Sequence, residues 1–114
     1  MKLFGIKSCD TCRKALSFLE TTGTPVTFVD LRGDGFASRD LDRWLAAADW
    51  EDFLNRRSTS WRALSEEDKR DIDTDKARAL MLANPTLIKR PVIEDGDRLI
   101  IGFGKQQQDD LLKG

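Results

Sequence analysis

The sequence predicts an α/β fold built on a mixed four-stranded sheet, and three observations lead to this prediction. A strand, a helix and a second strand follow one another within the first 29 residues, which favours a parallel strand pair with a helical crossover. A block with helical periodicity then occupies about residues 33–86. Two short β-rich runs flank Asp95-Gly96, a strong hairpin signal, and a polar helix follows them.

The composition is that of one ordinary globular domain covering residues 1–114. Its 114 residues are enough for a single hydrophobic core. The chain is 34% charged with a formal net charge of -1, so it offers no basic surface for direct nucleic-acid contact. No apolar run is long enough to cross a bilayer, and the N-terminus lacks the apolar segment of a signal peptide. We therefore expect a cytoplasmic protein without a membrane partner, in a compartment that keeps thiols reduced.

Local patterns define the first two strands and the helix between them. Residues 2–6 are mostly apolar and predict a short strand. A helix is predicted from about residue 11 to residue 22, because Gly23 is a typical C-terminal stop and Pro25 cannot continue the helix. Residues 26–29 are Val-Thr-Phe-Val, a β-branched and aromatic run that predicts the second strand.

Helical periodicity dominates the middle of the chain. Trp44 lies on an apolar helical face and is expected in the core. A further short helix is predicted at about residues 49–54, and the charges of residues 66–71 alternate in sign, which is typical of a solvated face. The block therefore reads as a helical insertion. Its predicted helix starts are Ser38, then Ser65 with Asp68 three residues later, and finally Asp73 or Thr74.

The C-terminal part of the sequence predicts a hairpin and a closing helix. Pro91 is placed at the first position of the third strand, where its missing N–H does least harm. The closing helix is expected over about residues 105–112, with Leu111 and Leu112 as its apolar anchors. When the hairpin joins the parallel pair, this order of elements gives a thioredoxin-like fold with a helical insertion.

Both cysteines of the chain lie at the start of the first helix, in the pattern Cys9-x-x-Cys12. Cys9 is predicted at the helix N-terminus, where N–H groups lack intrahelical partners and the helix dipole favours negative charge. A thiolate is the reactive form of cysteine, so we predict that Cys9 is a nucleophile. Neighbouring charges act on it too: Lys7, Arg13 and Lys14 favour the thiolate, and Asp10 opposes it.

Cys12 has two interpretations. It continues an apolar helical stripe through Ala15 and Leu19, which is typical of a small buried hydrophobic residue. A strand, a Cys-x-x-Cys pair and a helix in succession are equally typical of a redox site in which Cys12 forms a disulfide with Cys9. A structural zinc site would need four ligands, and the chain has two cysteines and no histidine. We expect neither a metal nor a bound cofactor.

Arg90 is the second candidate functional residue. It directly precedes Pro91, where an isolated arginine is usually a surface charge. Beside a thiolate, however, the planar fork of guanidinium donors would bind a negatively charged substrate. We therefore predict an anion-binding role for Arg90.

Three segments resemble the arsenate reductase-like family, which includes glutaredoxin-dependent arsenate reductases, the Spx regulators and the YffB-type reductases. The resemblance covers nearly the whole chain and is strongest to the YffB branch. The segments are residues 5–11 (GIKSCDT), 54–62 (LNRRSTSWR) and 87–93 (LIKRPVI).

The resemblance implies roles for individual residues. Cys9 corresponds to the nucleophilic cysteine that attacks arsenic in arsenate reductases and is resolved by glutathione and glutaredoxin. Arg90 corresponds to an arginine that helps to bind the oxyanion and to activate the thiol. From their positive charge, we expect Arg57 or Arg56 to hold the anion with Arg90, and we add Lys7 to this anion-binding group. Pro91 corresponds to a proline whose preceding peptide bond is cis, and we expect a cis bond here.

Two positions depart from the arsenate reductase pattern. Asn55 stands where the first oxyanion arginine is expected, with Arg56 and Arg57 next to it, and the third arginine falls near the apolar Ile101. Each charge-assisted pair supplies about 1.5–3 kcal/mol, so the missing arginines weaken the arsenate assignment. Cys12 also departs from YffB-type sequences, which carry an apolar residue there, and matches the Spx pattern.

The leading prediction is a thiol-dependent reductase in which Cys9 attacks a disulfide, a glutathionylated thiol or a weakly bound oxyanion. Glutathione is the expected co-substrate, glutaredoxin an expected partner, and either Cys12 or glutathione resolves the intermediate. One alternative is an Spx-like regulator whose Cys9–Cys12 oxidation alters its binding to RNA polymerase. The other is a true arsenate reductase.

Overall fold

The computed structural model describes residues 1–33 and 35–113. The chain divides into two compact units. We call them the sheet unit, Met1–Phe36 with Arg90–Gly114, and the helical unit, Ala37–Lys89. Among the described residues, every helix is too short or too polar to cross a membrane.

The sheet unit contains the predicted mixed sheet, with strand order β2-β1-β3-β4. The β1–β2 pair is parallel and places Leu3 opposite Phe28. The β1–β3 and β3–β4 pairs are antiparallel, so β1 lies between its parallel and antiparallel partners. The strands are β1 (Lys2–Gly5), β2 (Thr27–Asp30), β3 (Val92–Asp95) and β4 (Arg98–Ile101).

Two helices belong to the sheet unit, α1 (Asp10–Thr21) and α7 (Lys105–Leu112). Helix α1 ends before Gly23, whose φ of 74° is the left-handed conformation that glycine adopts without strain. The sheet unit is stabilised by the removal of apolar side chains of its strands and helices from water. The core cluster consists of Leu3, Ala15, Leu19, Ile93, Ile100 and Leu111.

The helical unit forms its own core from short helices. The Trp44 and Phe53 rings stack with their centroids 5.9 Å apart, and both side chains are buried. The prediction that Trp44 is a core residue is therefore confirmed. The elements are α2 (Ser38–Ala47), α3 (Trp50–Phe53), α4 (Thr59–Arg62), α5 (Glu66–Lys69), α6 (Thr74–Ala83) and a 3₁₀ turn, Pro85–Leu87.

Two of the predicted helix starts are confirmed. The Ser65 hydroxyl accepts a hydrogen bond from the Asp68 N–H, and the Asp73 carboxylate accepts one from the Lys76 N–H. Each interaction satisfies a backbone donor that the helix leaves unpaired.

The other start is wrong by one residue, and one helix was not predicted. Ser38 is the first residue of α2, because the Asp40 carboxylate accepts the Ala37 N–H and makes Ala37 the cap. Helix α4 follows Ser58, whose hydroxyl accepts the Trp61 N–H. The pattern that marks the start of α5, an acidic residue three positions after the capping serine, is absent here, because Trp61 occupies that position after Ser58.

The structure corrects three details of the predicted hairpin and closing helix. Strand β3 begins after Pro91, so this proline precedes the strand. The hairpin is present, but Asp95 pairs with Arg98, which makes Gly96-Asp97 the turn. Leu112 is 63% exposed and is not an anchor, unlike Leu111.

The two neighbouring leucines of α7 provide a test of this packing. We expect Leu111→Ala to lower the free energy of unfolding by about 2–3 kcal/mol, because it leaves a cavity in the core. Leu112→Ala should change it by less than about 0.5 kcal/mol, since its side chain is exposed. Urea denaturation measures both values, and equal losses would contradict the assigned helix face.

Candidate active site

The candidate site starts where β1 turns into α1. The Cys9 N–H donates a hydrogen bond to the Ile6 carbonyl oxygen over 3.0 Å, which closes the turn between strand and helix. Cys9 then occupies the N-cap position of α1 in an extended conformation, with φ of -82° and ψ of 121°. Its side chain is half-buried, and the thiol is not in a disulfide. The predicted location at the helix N-terminus is confirmed.

The surroundings of Cys9 favour its thiolate. Partial burial raises the pKa of the Cys9 thiol, but hydrogen-bonding interactions outweigh this effect and the pKa is lowered overall. The favourable contributions come from the backbone N–H and the thiol of Cys12, the Arg90 guanidinium and the Thr11 N–H. Both N–H groups are unpaired donors of the first helical turn, the interaction that the sequence predicts.

Cys12 differs from Cys9 both in burial and in the direction of its pKa shift. Its side chain is fully buried, and burial, together with the proximity of Cys9, raises the pKa of the Cys12 thiol to about 11. A hydrogen-bonding interaction with the Ile6 backbone and the charge of Arg90 oppose this rise without cancelling it. The prediction that Cys12 belongs to the buried stripe of α1 is confirmed. Both cysteines are free thiols in the structure, so a disulfide between Cys12 and Cys9 stays a prediction.

Arg90 approaches Cys9 from the segment just before β3. The Arg90-Pro91 peptide bond is cis, as the sequence resemblance implies. Pro91 is buried, and its carbonyl oxygen accepts a hydrogen bond from the Gly102 N–H over 2.8 Å. Because β3 pairs with β1, the residue before it is brought to the end of the sheet where α1 begins. The sheet unit therefore brings Cys9, Cys12, Arg90 and Pro91 together.

The cations near Cys9 in sequence contribute less to the lowered pKa of the Cys9 thiol than the sequence predicts. Arg13 forms an ion pair with Asp10, three residues earlier on the exposed surface of α1. Lys7 and Lys14 are exposed. None of these three cations is among the groups that lower the Cys9 pKa. Their effect on the Cys9 pKa is therefore smaller than predicted, because solvent screens exposed charges and Arg13 pairs with Asp10.

Arg56 and Arg57 belong to the helical unit, and both are exposed. The Arg56 guanidinium lies over the rings of Trp50 and Trp61, 5.7 and 5.9 Å from their centroids. The Arg57 N–H donates to the side-chain oxygen of Asn55 over 3.0 Å. Sequence reasoning missed this arginine–tryptophan stack, because residues 50, 56 and 61 follow no helical period. Such stacking is a common use of arginine, which binds aromatic faces as well as anions.

The described residues contain no group of three or more His, Cys, Asp or Glu side chains that could hold a metal ion. The residues that the sheet unit brings together supply two sulfur atoms and one guanidinium. A partly exposed sulfur with a lowered pKa is suited to nucleophilic attack on another sulfur or on an electrophilic oxyanion.

The raised pKa of Cys12 predicts a pH dependence of stability. A thiol with a pKa near 9.0 when unfolded and about 11 when folded keeps its proton longer in the folded chain. Its stabilising contribution is therefore complete below pH 9 and is lost as the pH rises towards 11. Relative to Cys12→Ala, the parent protein should lose about 1–2 kcal/mol of unfolding free energy between pH 9 and pH 11.

Urea denaturation under reducing conditions at several pH values measures this difference. The titrating groups other than Cys9, which interacts with Cys12, are shared unchanged by the two proteins, so their effects largely cancel. Parallel stability profiles would contradict the assignment of a buried, protonated Cys12.

Comparison with known proteins extends the resemblance. The ArsC family model matches residues 4–111. The solved structure of a YFFB protein is 41% identical, with a TM-score of 0.90 over 98% of this chain and 96% of that chain. An arsenate reductase (ArsC) related protein from Brucella melitensis is also 41% identical, with a TM-score of 0.78 over 99% of this chain and 94% of that chain.

A more distant relative is the global transcriptional regulator Spx of Streptococcus pneumoniae, 28% identical over 92% of this chain and 80% of its own length. The thioredoxin-like fold with a mixed four-stranded sheet is confirmed by the structural match to the YFFB protein. Because the family match leaves out only three residues at each end, the chain belongs to the ArsC family.

Proposed function

We propose that this protein is a cytoplasmic thiol-dependent reductase that uses Cys9 to reduce glutathione mixed disulfides or similar small disulfides. One observation carries the proposal: Cys9 is partly exposed at a helix N-terminus, and the Arg90 guanidinium is among the groups that lower its pKa. A thiolate supplies the nucleophile, and the arginine supplies a partner for an anionic substrate.

The proposed reaction has two exchange steps. In the first, the Cys9 thiolate attacks the glutathione sulfur of a mixed disulfide R–S–S–G. A Cys9–glutathione disulfide forms as the S–S bond of the substrate breaks, and R–S⁻ leaves. In the second, the thiolate of another glutathione attacks the glutathione sulfur of that disulfide. Glutathione disulfide is released and the Cys9 thiolate is restored. The net reaction converts R–S–S–G and one glutathione thiol into R–SH and glutathione disulfide, and R–S⁻ takes up the proton that the incoming glutathione lost.

Arg90 has two uses in this reaction. Its positive charge favours the Cys9 thiolate before attack, which also makes Cys9 a better leaving group in the second step. Glutathione carries two carboxylates, and a guanidinium binds a carboxylate through paired donors. These uses explain an arginine beside the sulfur without requiring arsenate as the substrate.

The proposal assigns the second step to external glutathione, delivered free or through glutaredoxin. Cys12 is buried and its thiol pKa is about 11, so at pH 7 it is a thiolate in only about one molecule in ten thousand. Attack by Cys12 on a mixed disulfide would need its deprotonation within the core. Glutathione is kept reduced in the cytoplasm, which supplies the electrons for the cycle.

Arsenate is the less favoured substrate. The side-chain oxygen of Asn55, which replaces an expected arginine, accepts the Arg57 N–H. Ile101 is a β4 residue paired with Val92 and offers no charge. A tetrahedral dianion would therefore lack two of the guanidinium partners that the arsenate reductase pattern provides.

The kinetic test uses two arginines that differ in their relation to Cys9. We expect Arg90→Ala to lower kcat/KM for a glutathionylated substrate about tenfold or more, because it removes a charge-assisted interaction with the thiolate. Alkylation of Cys9 by iodoacetamide should shift to higher pH in this variant. Arg13→Ala is the matched control, since its guanidinium pairs with Asp10, and it should retain parental kinetics.

Three further arms complete the test. Cys9→Ser should abolish turnover with the fold intact, Cys12→Ala should retain measurable turnover, and arsenate should be a poorer substrate than the mixed disulfide. Unchanged kinetics in Arg90→Ala, or full turnover in Cys9→Ser, would contradict the proposal.

A second candidate is a redox-sensing transcriptional regulator. The relative named Spx and the Cys9-x-x-Cys12 pair support it, and oxidation to a Cys9–Cys12 disulfide would be the signal. The fully buried Cys12 weighs against it, since disulfide formation requires the second sulfur to react.

Pull-down with the C-terminal domain of the RNA polymerase α subunit distinguishes the two candidates. For a reductase we expect no capture under either oxidising or reducing conditions. Capture of the oxidised parent but not of Cys12→Ser, without turnover of mixed disulfides, would favour the regulator and contradict the reductase.

A further inference from the structure

Gly5 is the last residue of β1, and its backbone does not require glycine. Among the described residues, the glycines with a positive φ are Gly23, Gly96 and Gly102, whereas Gly5 is an ordinary strand residue. Glycine within a strand weakens it, because it costs conformational entropy and contributes no packing. A strand glycine that no backbone angle explains indicates close approach by another group.

The group that approaches Gly5 is the Cys12 side chain. A Cβ atom at position 5 would lie 2.6 Å from the Cys12 Sγ atom and 3.2 Å from its Cβ atom. The first distance is well below van der Waals contact, so any larger residue would displace the sulfur. Cys12 has little room to adjust, because its side chain and that of Ala15 on the next turn are fully buried.

The position of the Cys12 sulfur matters for Cys9. In its observed place the Cys12 thiol donates towards the Cys9 sulfur, next to the Cys12 N–H that acts in the same direction. The backbone of Ile6, the residue after Gly5, also interacts with the Cys12 sulfur. The Cys12 thiol thus interacts both with the residues at the end of β1 and with the reactive cysteine.

We propose that Gly5 is a positioning residue for the reactive sulfur: by lacking a side chain, it leaves the space in which the Cys12 thiol packs and holds that thiol beside Cys9. The inference rests on the proposed role of Cys9 as the nucleophile and extends it to β1. Gly5 does not touch the substrate and acts only through Cys12.

The test measures the alkylation of Cys9 between pH 5 and pH 9 in the parent, Gly5→Ala, Cys12→Ala and the double variant, with Cys9 followed by peptide mass spectrometry. Gly5→Ala should slow the alkylation of Cys9 at pH 6 about fivefold, because the thiolate loses one donor. In the Cys12→Ala background, the same substitution should change the rate less than about twofold, since the displaced sulfur is absent.

Gly33→Ala is the matched control. A Cβ atom there would meet the Asp30 Cβ atom at 3.4 Å, an ordinary contact, and the φ of Gly33 is not positive. This variant should therefore keep the parental alkylation profile. Equal slowing by Gly5→Ala in both backgrounds, or a folded Gly5→Ala with the parental profile, would overturn the assignment.

A failure of Gly5→Ala to fold also gives a decisive comparison. Recovery of a cooperative thermal transition in the double variant would support the contact with Cys12, and failure to recover it would overturn the inference. Turnover of a glutathione mixed disulfide by the parent separates the two proposals. If Gly5→Ala slows Cys9 alkylation only when Cys12 is present, but the parent does not turn over the mixed disulfide, the proposed function alone is contradicted. If the parent turns over the mixed disulfide, but the effect of Gly5→Ala does not depend on Cys12, the role of Gly5 alone is contradicted.

Discussion

The site depends on the direct passage from β1 into α1. The turn closed by the Cys9 N–H and the Ile6 carbonyl oxygen starts the helix at the residue after Cys9. The unpaired donors of the first turn therefore act on the Cys9 sulfur, and Cys12 returns to the same place one turn later. Burial alone would raise the pKa of the Cys9 thiol, so its lowered pKa depends on these backbone donors, together with the Cys12 thiol and the Arg90 guanidinium.

The same geometry gives two identical side chains opposite properties. Cys9 at the N-cap is partly exposed and has hydrogen-bonding donors, whereas Cys12 on the inner face of α1 is fully buried. The protonated thiol favours the thiolate, and the thiolate in turn raises the pKa of its neighbour. Each cysteine thus stabilises the protonation state of the other, as expected for two coupled titrating groups.

Elements with a long or distinctive pattern could be predicted from the sequence, and features that depend on tertiary contacts could not. The hairpin and α1 carry their own signals in turn residues and apolar spacing. Leu111 and Leu112 differ in burial because adjacent helical residues point about 100° apart, and the sequence does not give the rotation of the helix. The Arg13–Asp10 pair and the stacking of Arg56 likewise require coordinates, so the sequence overstated the number of cations acting on Cys9.

The central position of β1 in the sheet has a consequence for biosynthesis. The strand pairs with β3 on one side, and the Arg90 that flanks β3 lies 81 positions after Cys9 in the sequence. Contacts between distant residues form late, and a chain emerges from the ribosome with its N-terminus first. Cys9 is therefore translated as an ordinary cysteine, and it gains its arginine only after β3 has been synthesised and paired. The strand order thus delays the lowering of the Cys9 pKa by Arg90 until β3 has emerged and paired with β1.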